Sequence, residues 1–178
     1  IFQSIQELPY LPVRLFKLEK LTSLPDDKVF KILKSSGTTS QELSQIFLDK
    51  ETAKFQTKTL ITIVTSFIGK NRLPMILIDS DSILKDRTSF SARGAGLLGM
   101  SNFGRNHFYA LNAQMELELD GLMEFIGKYP NQPILLFGFT FMVWQYFYQE
   151  LKRLGVHLDL KQAILIHSGG WKKLQEQS

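Results

Sequence analysis

The sequence predicts an α/β fold in which a mainly parallel sheet is flanked by helices. Short continuous apolar runs, Met75-Ile-Leu-Ile-Asp79, Pro133-Ile-Leu-Leu-Phe137 and Ala163-Ile-Leu-Ile-His167, recur along the chain. Runs of this length without polar alternation belong to strands buried on both faces. Stretches with apolar residues at helical spacing lie between them, so strand and helix alternate. Such alternation makes the strands parallel and sets the helices on the faces of the sheet.

Composition narrows the class. A chain of 178 residues suits one domain and is long enough to bury a sizeable core. Hydrophobic content of 44% beside 21% charged residues is that of a globular protein rather than a disordered one. The net charge of +4 comes from scattered Lys and Arg, which is compatible with an anionic ligand such as ATP and calls for no nucleic acid. Cysteine is absent, which excludes disulfides, cysteine metal sites and a cysteine nucleophile within the chain and fits a reducing cytoplasm. The start, Ile1 to Glu7, has neither the basic residues nor the apolar core of a signal peptide. The longest apolar stretch, 134–148, is shorter than the ~20 residues a membrane span needs. Gly138, Thr140 and Gln145 also interrupt it, so no membrane span is expected.

Taken in order, residues 1–28 read as an extended arm punctuated by Pro9, Pro12 and Pro25, whose Leu11, Val13, Leu15, Phe16 and Leu18 need a core to lie against. A hairpin over 29–48 follows, with strands at 29–34 and 43–48 and a tip at 35–40. Alternating strands and helices then fill 49–178. Asp49 can cap a helix carrying Leu60, Ile61, Val64, Phe67 and Ile68, with Gly69 as its stop. Residues 82–104, with Gly94, Gly96, Gly99 and Gly104, form the least regular segment and read as a loop, either a plain surface loop or a ligand-facing one. Phe108-Tyr-Ala-Leu111 is a short strand or helix start. Residues 114–128 suit a helix with Met115, Leu119, Leu122, Phe125 and Ile126 inward. Another helix over 140–154 ends at Gly155, and Gly169-Gly170 opens a last one.

The hairpin tip Ser35-Ser36-Gly37-Thr38-Thr39-Ser40 concentrates hydroxyl donors around one glycine, a layout able to wrap a polyphosphate with backbone and side-chain donors. No Lys follows in GxxxxGK[ST] spacing, so a Walker-type loop is excluded. A Ser/Thr-rich turn without a ligand fits the same residues. Ser168-Gly169-Gly170, after a strand and before a helix, brings bare backbone to the carboxyl edge of the sheet, where ligands of doubly wound folds sit. A tight packing turn accounts for it equally. His167 is placed to touch a nucleotide or substrate or to serve structure alone, and His157 lies in a polar turn. The histidines lack metal-ligand spacing, and no Ser-His-Asp arrangement can be drawn. Asp79 and Asp81 suit a turn cap more than a metal, so no metal ligands and no catalytic side chain are assigned.

Ser35 to Ser40 resembles the phosphate loop of the adenylate-forming enzymes, (S/T)SGTTG, with Ser40 in place of the last glycine. Ile164-Leu-Ile-His-Ser-Gly-Gly-Trp-Lys-Lys-Leu174 is similar to a loop of one branch, the acyl-protein synthetases of the LuxE type. Leu8-Pro-Tyr-Leu-Pro-Val-Arg-Leu-Phe-Lys17 and Phe137-Gly-Phe-Thr-Phe141 also resemble that branch, in the same order. The resemblance covers nearly the whole chain. It implies part of the large N-terminal domain of an enzyme that uses ATP and Mg²⁺ to activate a fatty acid as its acyl-adenylate and passes the acyl group to a thiol of an acceptor protein.

By the same resemblance, Ser35, Ser36, Gly37, Thr38, Thr39 and Ser40 hold the phosphates, and His167, Ser168, Gly169, Gly170 and Trp171 line the adenine and ribose side. Leu97, Met100 and Phe103 suit the acyl pocket, with His107 at its border. The two small-residue bends are then expected to meet at one rim. The later family blocks, which carry the Mg²⁺-holding acid, the ribose-binding Asp and the catalytic Lys, have no counterpart before Ser178. The expectation is therefore an N-terminal piece that binds nucleotide weakly without turnover. A phenylacetate-type acyl- or aryl-CoA ligase shares the hydroxyl loop, and a noncatalytic interaction module is the reading from another class.

Overall fold

The computed structural model describes residues 3–34, 43–85 and 92–170 and divides into two compact units, Ile1–Thr62 and Ile63–Ser178. In the first unit, the arm holds a 3₁₀ turn at Ile5–Glu7, a short helix α1 (Leu15–Leu18) and a second 3₁₀ turn at Asp26–Lys28. It departs from the expected apolar packing: Leu15 and Phe16 are half-buried, but Leu11, Val13 and Leu18 are exposed. The turn after Pro12, closed by Leu15 N–H to Pro12 C=O and Phe16 N–H to Val13 C=O, breaks the extended pattern that would have lined them up. Strands β1 (Lys31–Lys34) and β2 (Gln45–Leu48) pair antiparallel from Lys31 opposite Leu48 to Lys34 opposite Gln45. The tip between them, Ser35 to Ser40, lies outside the described residues.

Helix α2 (Lys50–Ile68) starts where the cap was expected. Thr52 N–H donates to Asp49 Oδ1 at 2.6 Å, and this bond holds the Asp49 carboxyl below its usual range. Gly69, at φ +81°, ends it in the left-handed region.

The second unit is organised on β3 (Leu73–Ser80), all eight residues of which are buried. It is joined by α3 (Ser82–Lys85), α4 (Ala92–Ser101), β4 (Gly104–Leu111), α5 (Leu119–Gly127), β5 (Leu135–Phe139) and β6 (Ile164–Ser168). The sheet order is β4-β3-β5-β6, every pair parallel. Alternation along β3 splits the core. Met75 and Leu77 pack with Val64, Ile68, Leu97, Met100 and Phe103 on one face. Ile76 and Ile78 pack with Leu122, Phe125, Met142, Phe147 and Leu151 on the other. The helix leaving β3 thus covers one face and those leaving β4 and β5 the opposite one. The chain direction across the sheet reverses between β3 and β5, which makes their carboxyl ends the switch point of a doubly wound sheet.

Two segments of the second unit differ from the sequence expectation. Residues 82–104 are not one loop, because α4 occupies 92–101. Its glycines are poor helix formers in isolation, yet Gly96 is needed for packing: a Cβ there would lie 2.9 Å from Phe139 Cζ. The 114–128 helix begins at Leu119, since Asn112 Oδ1 accepts the N–H groups of Gln114 and Glu116 and holds a tight turn in which Met115 takes φ +65°. Met115 therefore packs on the core from that turn, not from the helix.

The helix after β5 runs as α6 (Thr140–Met142), a π-helical stretch Val143–Tyr148 and α7 (Gln149–Arg153). It closes as expected at Gly155, φ +66°, with Gly155 N–H bonded to Lys152 C=O and Val156 N–H to Leu151 C=O. These are the paired bonds of a Schellman cap, and Val156 and Leu151 meet in the core beside it.

Gly138, near the carboxyl end of β5, tests how tightly the two layers close. A Cβ would sit 2.9 Å from both Ile78 Cβ and Val143 Cγ2. Gly138→Ala is expected to lower the unfolding free energy by about 1–3 kcal/mol in urea titrations; an unchanged midpoint would show that the contact relaxes freely.

Candidate functional site

The carboxyl edge of the sheet collects the polar groups that the two apolar faces exclude. Thr140 is buried at the first residue of α6, directly after β5. Its Oγ1 lies 2.6 Å from Gly169 O, 3.1 Å from Ser168 O and 3.1 Å from His167 Nδ1. A hydroxyl has one proton to give. Given to the nearest carbonyl, Gly169, it leaves the oxygen lone pairs to accept Nδ1–H of His167. In that tautomer Nε2 is the acceptor. The knot also fixes the turn in which Gly169 takes φ +95°, a conformation suited to glycine.

Beside it, the Phe139 ring meets two glycine-bearing segments. Its Cζ approaches Gly96 of α4, and its Cδ1 would be 3.6 Å from a Cβ at Gly169. At the end of β3, Asp79 is fully buried; Ser80 N–H donates to Oδ1 at 2.8 Å, and Arg93 Nε of α4 lies 3.1 Å from Oδ2. Burial raises the Asp79 carboxyl above its ordinary range, outweighing the Ser80 N–H and Arg93. Ser80 and Ser82 share a hydroxyl contact of 2.9 Å. A cavity of about 230 Å³ opens on the same helix start, lined by Thr140, Val143, Trp144, Tyr148, Leu165 and His167. The Trp144 and Tyr148 rings stack at 5.0 Å within the π-helical stretch, a helix form that is frequent at functional sites.

The expected site residues fall in three groups. His167, Ser168, Gly169 and Gly170 stand together at this edge. Ser35 to Ser40 and Trp171 lie outside the described residues, as does any meeting of Thr38 with Gly169. Leu97, Met100 and Phe103 are buried in the core against Met75 and Leu77, and His107 is exposed on β4 with Nε2 2.9 Å from Ser101 O. The edge and these residues are not all gathered at one place, since Phe103 directly precedes β4, at the opposite end of the parallel sheet, and His107 lies midway along β4. Sequence reading missed Thr140, Phe139 and the Asp79–Arg93 pair. The signals were present: an apolar run that stops on an acid, and the Phe-Gly-Phe-Thr block.

Among the described residues, no group of three or more His, Asp or Glu could hold a metal ion, and no helix is long and apolar enough to cross a membrane. Asp79 already faces a cation, so it is a poor Mg²⁺ ligand.

Two measurements check this geometry. Ring ¹⁵N shifts of His167 are expected to show the Nδ1–H tautomer, and Thr140→Val is expected to abolish that preference and cost about 1–3 kcal/mol through unpaired carbonyls. An Nε2–H ring in the unaltered protein would refute the assignment. For Asp79, the folded state keeps the proton to higher pH than the unfolded chain, so its contribution to stability falls as pH rises from about 4. Urea titrations across pH should therefore show the unaltered protein losing stability relative to Asp79→Asn above that point; parallel curves would contradict it.

A family model described as acyl-protein synthetase, LuxE, matches residues 1–178. No curated protein and no solved structure matches the chain. With the match running from end to end over an α/β domain of this build, the chain belongs to the LuxE family of acyl-protein synthetases.

Proposed function

We propose that the protein serves the ATP-dependent activation of a fatty acid as its acyl-adenylate, for transfer to a thiol of an acceptor protein. The observation that carries this is the Thr140 knot, which holds His167, Ser168 and Gly169 at the carboxyl edge beside the switch point, in a chain of the acyl-protein synthetase family. In the reaction, a carboxylate oxygen of the fatty acid attacks the α-phosphorus of ATP. The bond to the β-phosphate oxygen breaks, and pyrophosphate leaves with the electron pair. A thiolate then attacks the acyl carbon and AMP departs. None of this requires a covalent bond to the chain, so the work is positioning and charge stabilisation.

In this proposal the hydroxyls and backbone of Ser35, Ser36, Gly37, Thr38, Thr39 and Ser40 hold the phosphates. His167, Ser168, Gly169, Gly170 and Trp171 take the adenine and ribose, with His167 Nε2 offered as an acceptor by the bond on Nδ1. Leu97, Met100 and Phe103 provide the apolar seat of the acyl chain, with His107 at its border. Since these three side chains are packed together, an acyl chain enters only by parting them. Mg²⁺ would neutralise phosphate charge when bound, but the described residues supply no ligand set for it.

Thermal unfolding tests the proposal. A nucleotide or a non-hydrolysable acyl-adenylate mimic at roughly 100 times its Kd adds about 2.7 kcal/mol to a protein that binds it only when folded. ATP with Mg²⁺, and the mimic more strongly, are expected to raise Tm. Indifference to both would remove the activation role.

A further inference from the structure

Arg93 has no part in the steps above, yet its setting is unusual for a purely structural cation. It sits in the first turn of α4, beside the carboxyl end of β3, with 32% of its side chain exposed, whereas Asp79 behind it has none. Nε and Oδ2 are 3.1 Å apart, but both atoms are sealed from solvent without a directed hydrogen bond, so the pair attracts by charge alone. Among the described residues, the other contact of the guanidinium is Nη1 at 3.8 Å from Met142 Sδ, a weak acceptor. A guanidinium carries five N–H donors, and Arg–carboxylate pairs frequently aim two of them at the carboxylate in a fork. Here the carboxylate anchors the cation from behind, and the partly exposed side chain reaches from the end of β3 to Met142 after β5, across the switch point.

We infer that Arg93 binds an oxyanion of the substrates at this edge, the fatty carboxylate or a phosphate of ATP, and that Asp79 is the residue that positions it. The inference rests on the activation role proposed above. An oxyanion arriving there supplies the directed acceptors that the pair lacks, and a charge-assisted bond in a partly buried setting is a strong one. Asp79 sets where the guanidinium stands without touching the ligand.

Removing one partner strands a buried charge, so the test uses the double variant Asp79→Asn/Arg93→Gln together with Arg93→Lys. Isothermal titration of the chain with ATP and Mg²⁺, and separately with decanoate, gives a Kd for each, and Tm is recorded in parallel. The expected result is a double variant that unfolds near the unaltered protein but binds one of the two ligands roughly tenfold or more weakly. Arg93→Lys should weaken the same ligand, because it keeps the charge and loses the fork. Which ligand weakens tells whether the carboxylate or a phosphate is held. Unchanged affinity for both in the double variant, or in Arg93→Lys if the double variant does not fold, overturns the inference and leaves the activation role standing. Equal weakening of both with a lowered Tm makes the pair structural and also overturns it. An unaltered protein that binds neither ligand overturns both proposals together.

Discussion

A strand covered on both faces has nowhere along its length to put chemistry. β3 is such a strand, with Met75 and Leu77 sunk in one apolar layer and Ile76 and Ile78 in the other. Polar groups can be placed only where the strand ends, and Asp79 and Ser80 are where β3 ends. The same constraint acts on β5, whose carboxyl end delivers Thr140, while β6 at the sheet edge is only partly covered and brings His167 to the same end. The burial that stabilises the sheet, at roughly 25 cal/mol per Å² of apolar surface, therefore also concentrates the polar chemistry of this unit along one edge.

What lies on that edge is held by a few shared groups. One hydroxyl, that of Thr140, ties the start of a helix to the end of a neighbouring strand and sets the tautomer of a histidine. One carboxylate joins a strand to α4 through Arg93. Neither is a large energetic term beside the two apolar clusters. Each instead favours one arrangement of the packed elements, the hydroxyl through hydrogen bonds and the carboxylate through charge.

The sequence made much of this legible where a signal is local and strong. The apolar runs located β3, β5 and β6, Asp49 located the start of α2, and Gly155 located the end of α7. It failed where a tertiary contact outranks local preference. The glycines of α4 look like loop residues until Phe139 is seen to require one of them. Asn112 cannot be read as the end of a helix pattern until its side chain is found holding the following backbone. The apolar residues of the arm suggested a core because composition carries no record of the turn after Pro12. At the site, His167, Ser168 and Gly169 were readable as a strand end with glycines. Thr140 stands in the Phe-Gly-Phe-Thr block, but its role was not readable, because its partners are 27 to 29 residues away in the chain.

The Phe139 ring meets two distant stretches of chain, Gly96 through Cζ and Gly169 through Cδ1. A side chain larger than hydrogen at Gly96 would press on that ring, and the turn after β6 rests against the same ring. The helix that carries Arg93 and the turn that carries Gly169 thus share one aromatic neighbour.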